Sequence, residues 1–266
     1  MLNFDAVIFD MDGVITKTAV VHSLAWKKMF DEYLHWRAKE YHEVFCEFTH
    51  SGDYLSYVDG RPRYQGVEAF LKSRRIQIPF GKAEDEPGKE TVCGLGNRKN
   101  EMFNQLVEAN GVEVYHSTVE LILALVKYGI KVGVATSSQN CAPILTKAGI
   151  LSLFQTRVDG VFSAKMGLKG KPEPDIFKAA CDNLGAEYGH SVVVEDSVSG
   201  VQAGQRGRFG LVIGVARENN ARELSSNGAD CVVTDLSEVN VEKISELVQL
   251  KQTPPAQLQQ PKGAKA

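Results

Sequence analysis

The sequence predicts an α/β fold in which helices cover both faces of a parallel sheet, with a helical segment inserted after the first strand. From about residue 115 onward, short β-branched apolar runs alternate with amphipathic helical segments, a pattern typical of parallel sheets flanked by helices. One further apolar run lies at residues 6–9, and the stretch after it shows little β pattern. We therefore expect a core domain of residues 1–17 and 115–251, a helical domain of residues 18–114, and a disordered tail of residues 252–266, which is rich in Pro, Gln and Lys.

The individual elements follow from hydrophobic spacing. Apolar residues at helical spacing, with Gly or Asn after several segments, predict helices over residues 18–37, 67–75, 98–110, 117–128, 141–148, 174–184, 198–206 and 221–226. Short runs rich in Val and Ile predict strands over residues 6–9, 130–135, 157–162, 191–194, 211–215 and 231–234. Ligands of such sheets bind beyond the carboxyl ends of the strands, so the residues that follow each strand are the first candidates for a functional site.

The bulk composition excludes several classes of partner. The chain has 266 residues, a net charge of −3, 43% hydrophobic residues and 24% charged residues, values of an ordinary globular protein with no attraction to nucleic acid or an anionic membrane. No apolar run approaches the roughly 20 residues that span a bilayer, and the first strand begins too early to leave room for a signal peptide. The five cysteines are odd in number and form no CxxC pair, so we expect free buried thiols and a cytoplasmic protein.

The first strand ends in two acids that are two residues apart, Asp10 and Asp12, followed by Gly13. Residues two apart in an extended chain share a face, so both carboxylates can point into one pocket, and glycine lets the backbone turn away. Taken alone, the motif favours a strand that ends in a solvated acidic turn. The residues that follow other strands change this interpretation.

Two more predicted strands end in polar residues: Thr136, Ser137 and Ser138 follow one, and Glu195 and Asp196 follow another. Four carboxylates converging on one pocket would raise each other's pKa. A hard cation with oxygen ligands relieves that repulsion, and Mg²⁺ with a substrate phosphate is the natural candidate. The alternative for Glu195 and Asp196 is an acidic cap on the helix that begins near residue 198.

These residue types fit phosphoryl transfer. Lys171 opens a helix between the second and third of these strand ends, and a lysine with a nearby hydroxyl neutralises and positions a transferring phosphoryl group. An aspartate can accept that group covalently, and a second acid two residues on can then act as the general acid/base.

Four short motifs, in the order in which they occur here, resemble those of the haloacid dehalogenase (HAD) superfamily. They are Asp10-x-Asp12-Gly13, Thr136-Ser137 after a strand, Lys171-Pro172 and Glu195-Asp196. The stretch from Asp12 to Trp26 resembles the β-phosphoglucomutase branch of that superfamily. The resemblance covers the whole chain apart from the tail. It implies a Rossmann-like core domain with an inserted α-helical cap domain, in agreement with the insert at residues 18–114.

The resemblance also implies roles for single residues. Asp10 would be the phosphorylated nucleophile and Asp12 the general acid/base, while Thr136 and Lys171 hold the transferring phosphoryl group. Magnesium would be bound by Asp10, the backbone carbonyl of Asp12, Glu195 and Asp196. The residues expected to face the substrate are Thr18 at the hinge, His22, Trp26, Ser137, Ser138 and Asn140, with Arg63 gripping the distal phosphate and Lys99 reaching the sugar. Simpler interpretations stay open for four of these residues. His22 would then be a hydrogen-bonded surface histidine and Trp26 a core residue of the cap. Arg63 would be a solvated turn arginine and Lys99 a solvated helix lysine.

The chain departs from the pattern of this branch in two places. Lys17 stands where members usually carry Asp, which reverses a charge near the hinge, and the cap has extra segments around residues 53–59 and 80–90. Both departures concern the identity of the substrate and leave the chemistry unchanged.

The resemblance implies a Mg-dependent phosphoglucomutase that converts β-glucose 1-phosphate to glucose 6-phosphate through an aspartyl-phosphate and a bisphosphate. Arg63 and Lys99 favour this activity, because a mutase must hold the far phosphate and exclude water. The alternative is a sugar-phosphate phosphatase with water as the acceptor. A dehalogenase is disfavoured because its reaction would not use Asp12 or the predicted metal ligands Glu195 and Asp196. A catalytically inactive binding protein is also disfavoured, because such proteins have typically lost the nucleophile or a metal ligand. We expect a small-molecule sugar phosphate as the substrate, a monomer, no nucleic-acid or membrane partner, and a functional link to a disaccharide phosphorylase.

Overall fold

The computed structural model describes residues 2–252. Within them, six strands form one parallel sheet: β1 (Ala6–Phe9), β2 (Lys131–Ala135), β3 (Thr156–Val158), β4 (Ser191–Glu195), β5 (Leu211–Val215) and β6 (Cys231–Val233). Their order is β3-β2-β1-β4-β5-β6, with every neighbouring pair parallel. The chain therefore winds in opposite directions on the two sides of β1, and the carboxyl end of β1 is the switch point at which such sheets bind ligands.

The helices, in chain order, are α1 (Thr18–Tyr41), α2 (Arg63–Ser73), α3 (Val92–Asn110), α4 (His116–Lys127), α5 (Cys141–Lys147), α6 (Gly160–Met166), α7 (Asp175–Asn183), α8 (Val198–Arg206), α9 (Ala221–Ser226) and α10 (Val241–Gln252). A π-helical segment, His50–Val58, lies between α1 and α2. We refer to α1–α3 and the segments that join them as the cap, and to the sheet with α4–α10 as the core. The α/β fold class is confirmed, while the domain boundaries stay a prediction.

Alternation along β1 explains why both faces of the sheet are covered. All four of its residues are buried; Val7 and Phe9 face one apolar cluster, and Ala6 and Ile8 face the other, as a side-chain period of two requires. Helices α4, α5 and α10 contribute to the first cluster, and α7, α8 and α9 contribute to the second. The strand that carries the acidic motif is thus held rigidly between two layers of helices.

The cap has its own aromatic packing and is joined to the core by two adjacent crossings of the chain. Phe30 stacks on Phe48 and packs at a tilt against Phe70, with ring centroids 5.0 and 4.1 Å apart, respectively. At the crossings, the Lys17 backbone N–H donates to the Glu113 carbonyl, and the Lys17 ammonium pairs with the Glu113 carboxylate at 2.8 Å. The positive charge of Lys17 is therefore paired with Glu113 on the other segment that joins the cap to the core.

Three predictions from the sequence are wrong in detail. The strand predicted over residues 157–162 ends at Val158, because the Asp159 carboxylate accepts from the Phe162 backbone N–H and begins α6 instead. Helix α10 was not predicted, and Gln252, placed in the tail, is its last residue; the rest of the predicted tail, residues 253–266, lies outside the described residues. Helix α3 begins at Val92, six residues before the predicted start at Arg98, because the Thr91 hydroxyl caps it by accepting from the Gly94 N–H.

Two expectations from composition can be compared with the described residues. All five cysteines are free, as expected, and Cys93, Cys141 and Cys181 are buried; the expectation of buried thiols is wrong for Cys46, which is exposed, and for Cys231, which is partly buried. No helix within residues 2–252 is both long enough and apolar enough to cross a bilayer.

Candidate active site

A cleft lies between the cap and the carboxyl ends of β1, β2 and β4. The space between its walls is about 520 Å³, a volume that includes open solvent at the mouth of the cleft. Most of the predicted site residues line it: Asp10, Asp12, His22, Trp26, Arg63, Lys99, Thr136, Ser137, Ser138, Lys171, Glu195 and Asp196. The other two, Thr18 and Asn140, lie just behind this lining and hydrogen-bond to Asp12 and to a cap side chain, respectively. The structure thus brings the predicted residues together, and their individual roles stay a prediction.

Lys171 joins two of the acids at the base of the cleft. Its ammonium donates to Asp10 Oδ1 at 2.5 Å and also to Glu195 Oε1, and all three side chains are almost fully buried. Burial raises the pKa of Asp10 well above its usual value, and the charge of Lys171 offsets only part of that rise. The lysine is held in place because the loop before α7 packs it against the ring of Phe177.

Asp12 lies among side chains that can donate hydrogen bonds to it. Thr18 donates to its Oδ1, His22 Nε2 lies 3.3 Å from the same oxygen, and Thr136 Oγ1 lies 3.5 Å from its Oδ2. Burial raises the pKa of Asp12, but the imidazole of His22 and the hydroxyl of Thr18 outweigh burial and hold it below its usual value. The two acids of the first motif therefore have pKa values shifted in opposite directions, which is the pattern expected of groups with different roles.

The cleft holds more negative charge than its cations neutralise. The carboxylate of Asp196 lies against Gly13, where an added Cβ would be 1.7 Å from Oδ2. Burial and the neighbouring acids Glu195, Asp59 and Asp10 raise the pKa of Asp196 well above its usual value. The same causes, burial and Glu195, raise the pKa of Asp59 to about 7. A buried, oxygen-lined pocket with surplus negative charge is chemically suited to a hard divalent cation.

The predicted metal ligands are not arranged as a finished coordination shell. Within residues 2–252, no three carboxylate, imidazole or thiol groups surround one point at which a metal ion would be held. Glu195 uses one oxygen to accept from Lys171 and the other to accept from the Ser197 N–H and hydroxyl. The acidic-cap alternative is wrong, because Ser197 is the residue that caps α8 by accepting from the Gly200 N–H.

The cap places one buried cation, Lys99, beside these acids. Lys99 is almost fully buried; its ammonium lies 5.0 Å from the centre of the Trp26 ring and 4.8 Å from that of Phe103, and it is hydrogen-bonded to His22 Nδ1. Burial, reinforced by the charge of Arg63, holds the pKa of Lys99 well below its usual value. Lys99 is therefore not a solvated helix lysine, and His22 is not a surface histidine.

Besides the contacts of Thr18 and His22 with Asp12, other hydrogen bonds join the cap to the core around the cleft. Ser137 donates to the Gly60 carbonyl at 2.8 Å, and Ser199 donates to the Asp59 carbonyl at 3.3 Å. On the opposite side, Asn140 Nδ2 donates to Asn100 Oδ1 at 2.9 Å. The cap is thus docked on the core with the cleft between them.

Sequence reasoning missed several residues of the cleft. Asp59 was not singled out, although it lines the cleft beside the predicted metal acids, and Tyr54, Val58, Arg61 and Ser197 also line it. Asn100 was not singled out either. The one available signal was the turn cluster Asp59-Gly60-Arg61-Pro62-Arg63, of which only Arg63 was assigned to the site.

Comparison with known proteins agrees with this geometry. The family model described as haloacid dehalogenase-like hydrolase matches residues 4–208. The chain is 44% identical over 237 residues to a protein named beta-phosphoglucomutase from Mycobacterium bovis, a match that covers 88% of this chain and 90% of the relative. It is also 37% identical over 237 residues to an uncharacterized glycosyl hydrolase of Mycobacterium tuberculosis, covering 89% of this chain but 18% of that longer protein.

The fold is shared with solved structures. The crystal structure of beta-phosphoglucomutase from Clostridium difficile aligns with a TM-score of 0.72 at 22% sequence identity, over 93% of this chain and 98% of that chain. At this level of identity the likeness concerns the arrangement of the elements. It agrees with a parallel sheet and an inserted helical cap.

Proposed function

Because the chain belongs to the haloacid dehalogenase superfamily, and within it to the β-phosphoglucomutase-like branch, we propose that it is a phosphosugar mutase. The reaction is the conversion of β-glucose 1-phosphate to glucose 6-phosphate through an aspartyl-phosphate and a bisphosphate. The relative from Mycobacterium bovis, with 44% identity over most of both chains, supports this proposal.

In the proposed mechanism Asp10 is the phosphoryl carrier. Its Oδ1 is held by Lys171 at 2.5 Å, so its other oxygen is the one that bonds to phosphorus. When phosphorylated Asp10 meets the sugar, the 6-hydroxyl oxygen attacks phosphorus and the bond from phosphorus to the Asp10 oxygen breaks. The bisphosphate then turns round and returns its 1-phosphate to Asp10, which releases glucose 6-phosphate.

Asp12 moves the proton in both half-reactions. It accepts the proton of the attacking 6-hydroxyl and later donates one to the departing 1-oxygen. Its lowered pKa keeps it ionised when it must act as a base, and general acid–base catalysis of this kind contributes about 10²–10⁴-fold. Thr18 and His22 hold the carboxylate in position from the cap side.

Mg²⁺ is the proposed cofactor, because the donors present fit a hard cation. Asp10, the Asp12 carbonyl, Glu195 and Asp196 would hold it, and the raised pKa values of Asp10 and Asp196 mark where positive charge is missing. When bound, the ion supplies positive charge that keeps these acids ionised and neutralises oxygens of the transferring phosphoryl group.

The observation that carries the choice of a mutase is the pair of cap cations, Arg63 and Lys99. Both line the cleft, and both donate to neutral groups, Arg63 to Asn100 and Lys99 to His22, rather than to a carboxylate. The charge of Arg63 helps to lower the pKa of the buried Lys99, so a bound anion near both groups would stabilise the charged form of Lys99. The far phosphate of a bisphosphate is such an anion, whereas simple hydrolysis of a phosphate ester needs no second phosphate site.

Phosphorus NMR tests the proposal directly. The protein is incubated with β-glucose 1-phosphate, Mg²⁺ and a trace of glucose 1,6-bisphosphate, with the α-anomer as a matched control substrate. We expect the glucose 6-phosphate signal to grow from the β-anomer and not from the α-anomer. Inorganic phosphate as the main product, with no glucose 6-phosphate, would contradict the mutase and favour the sugar-phosphate phosphatase.

The cellular setting is part of the same proposal. The match to a segment of a longer protein named glycosyl hydrolase supports a link to disaccharide breakdown, in which a disaccharide phosphorylase supplies β-glucose 1-phosphate. We expect a cytoplasmic monomer that acts on a small-molecule sugar phosphate.

A further inference from the structure

The hydrogen bonds at the cap–core junction single out Asn100. It follows Lys99 on α3, and its Oδ1 accepts two hydrogen bonds, from Arg63 Nη2 at 2.7 Å and from Asn140 Nδ2 at 2.9 Å. An amide oxygen has two lone pairs, so these two donors saturate it. Arg63 begins α2 of the cap and Asn140 precedes α5 of the core, so the three side chains connect three elements.

The arrangement makes the position of Arg63 depend on cap docking. Arg63 and Asn100 both belong to the cap, but the second hydrogen bond of Asn100 comes from the core. The core loop that faces Arg63, residues 137–140, carries only neutral side chains, so it contributes hydrogen bonds and no charge to the binding of an anion. The guanidinium of Arg63 is therefore the charged group whose orientation the Asn140–Asn100 contact controls.

We propose that Asn100 is a positioning residue that fixes the Arg63 guanidinium for the far phosphate of the bisphosphate only when the cap is docked on the core. This inference rests on the proposed mutase function, because it concerns the group that holds the second phosphate. It gives the docked cap a means of distinguishing a substrate with a phosphate at its far end from water or a small alcohol. Asn100 itself touches neither phosphoryl group.

The test compares Asn100→Ala with the wild type in two assays. The first measures the affinity for glucose 1,6-bisphosphate by calorimetry, and the second measures phosphorylation of the protein by acetyl phosphate, which has no far phosphate. We expect Asn100→Ala to weaken bisphosphate binding about 10- to 100-fold, the effect of losing a hydrogen bond to a charged group. The rate of phosphorylation by acetyl phosphate should change by less than about twofold, because this donor has no far phosphate and its reaction does not depend on the orientation of Arg63.

Asn97→Ala is the matched control. Asn97 lies on the same helix, and within residues 2–252 its side-chain hydrogen bonds are all to the cap residues Tyr64, Ala83 and Asp85. It should leave bisphosphate affinity close to wild type. A comparable loss in both variants would mean that general weakening of α3 is the cause and would overturn the positioning role.

A double-mutant cycle with Asn140→Ala tests the Asn140–Asn100 hydrogen bond from the core side, where a folding defect of the cap does not arise. If loss of this hydrogen bond weakens bisphosphate binding, the double variant loses hardly more bisphosphate affinity than either single variant. Additive losses would overturn the inference. If the wild type itself forms no glucose 6-phosphate, the proposed function fails; if it does and Asn100→Ala binds the bisphosphate normally, only the present inference fails.

Discussion

Replacing Lys171 with Met tests the electrostatics of the site most directly. The side chains of Lys171, Asp10 and Glu195 are 1%, 7% and 1% exposed, and Lys171 donates to both acids. Methionine is similar in length and removes the charge, so two buried carboxylates lose their cation. We expect the free energy of unfolding to fall by about 3–5 kcal/mol in metal-free buffer near neutral pH, the cost of breaking a buried ion pair by removing one partner.

The loss should depend on pH in a defined direction. The pKa of Asp10 is already above its usual value of 3.8 in the folded protein because of burial, and removing Lys171 raises it further. A carboxyl group with a raised pKa binds more protons in the folded than in the unfolded state, so stability falls as pH rises from the unfolded-state pKa through the folded-state pKa. The deficit of Lys171→Met should therefore be smallest in acid and largest near neutral pH.

Equilibrium urea unfolding, followed by circular dichroism in the presence of a chelator, measures this effect. Lys169→Met is the matched control, because Lys169 is an exposed lysine in the same loop. It should change stability by less than about 0.5 kcal/mol, as is usual for surface substitutions. A loss for Lys171→Met that equals the control and stays constant with pH would refute the buried ion-pair reasoning.

Three further predictions concern the chemistry and the docking of the cap. Asp10→Asn should incorporate no phosphoryl label from a phosphoryl donor, because the amide is not a nucleophile; labelling at the wild-type level would contradict its assignment as the carrier. His22→Ala should raise the pKa of Asp12, since the imidazole helps to lower it, and should shift the acidic limb of the pH profile of kcat/KM to higher pH; an unchanged limb would contradict that role. Gly60→Ala should lower kcat/KM by about 10²-fold, the effect of misplacing groups by roughly 1 Å, because φ is +70° and the new Cβ would lie 2.3 and 2.5 Å from two core serine hydroxyls. Gly111→Ala is its control, with a similar φ of +78° and open space around the Cβ; equal losses in steady-state kinetics would show that backbone strain alone is responsible.

The order of strands and helices could be predicted because it depends on local patterns. Buried parallel strands consist of short runs of Val and Ile, and all four residues of β1 are buried as that pattern requires. The acids after β1 and β4 could be assigned to one edge without knowing any contact, because the carboxyl ends of neighbouring parallel strands meet at that edge. The family motifs use the same geometry, which is why four short and individually weak motifs together indicated phosphoryl transfer.

The sequence by itself therefore determined the fold class, the edge of the sheet that carries the site, and the residue types gathered there. Only the tertiary structure decided which groups pair. Lys171 bonds to Asp10 across 161 residues of chain, Asp59 joins the core acids from the cap, and Asn100 bridges Arg63 to Asn140. These contacts form between segments far apart in sequence, and their geometry depends on how the cap docks on the core, which no local periodicity encodes.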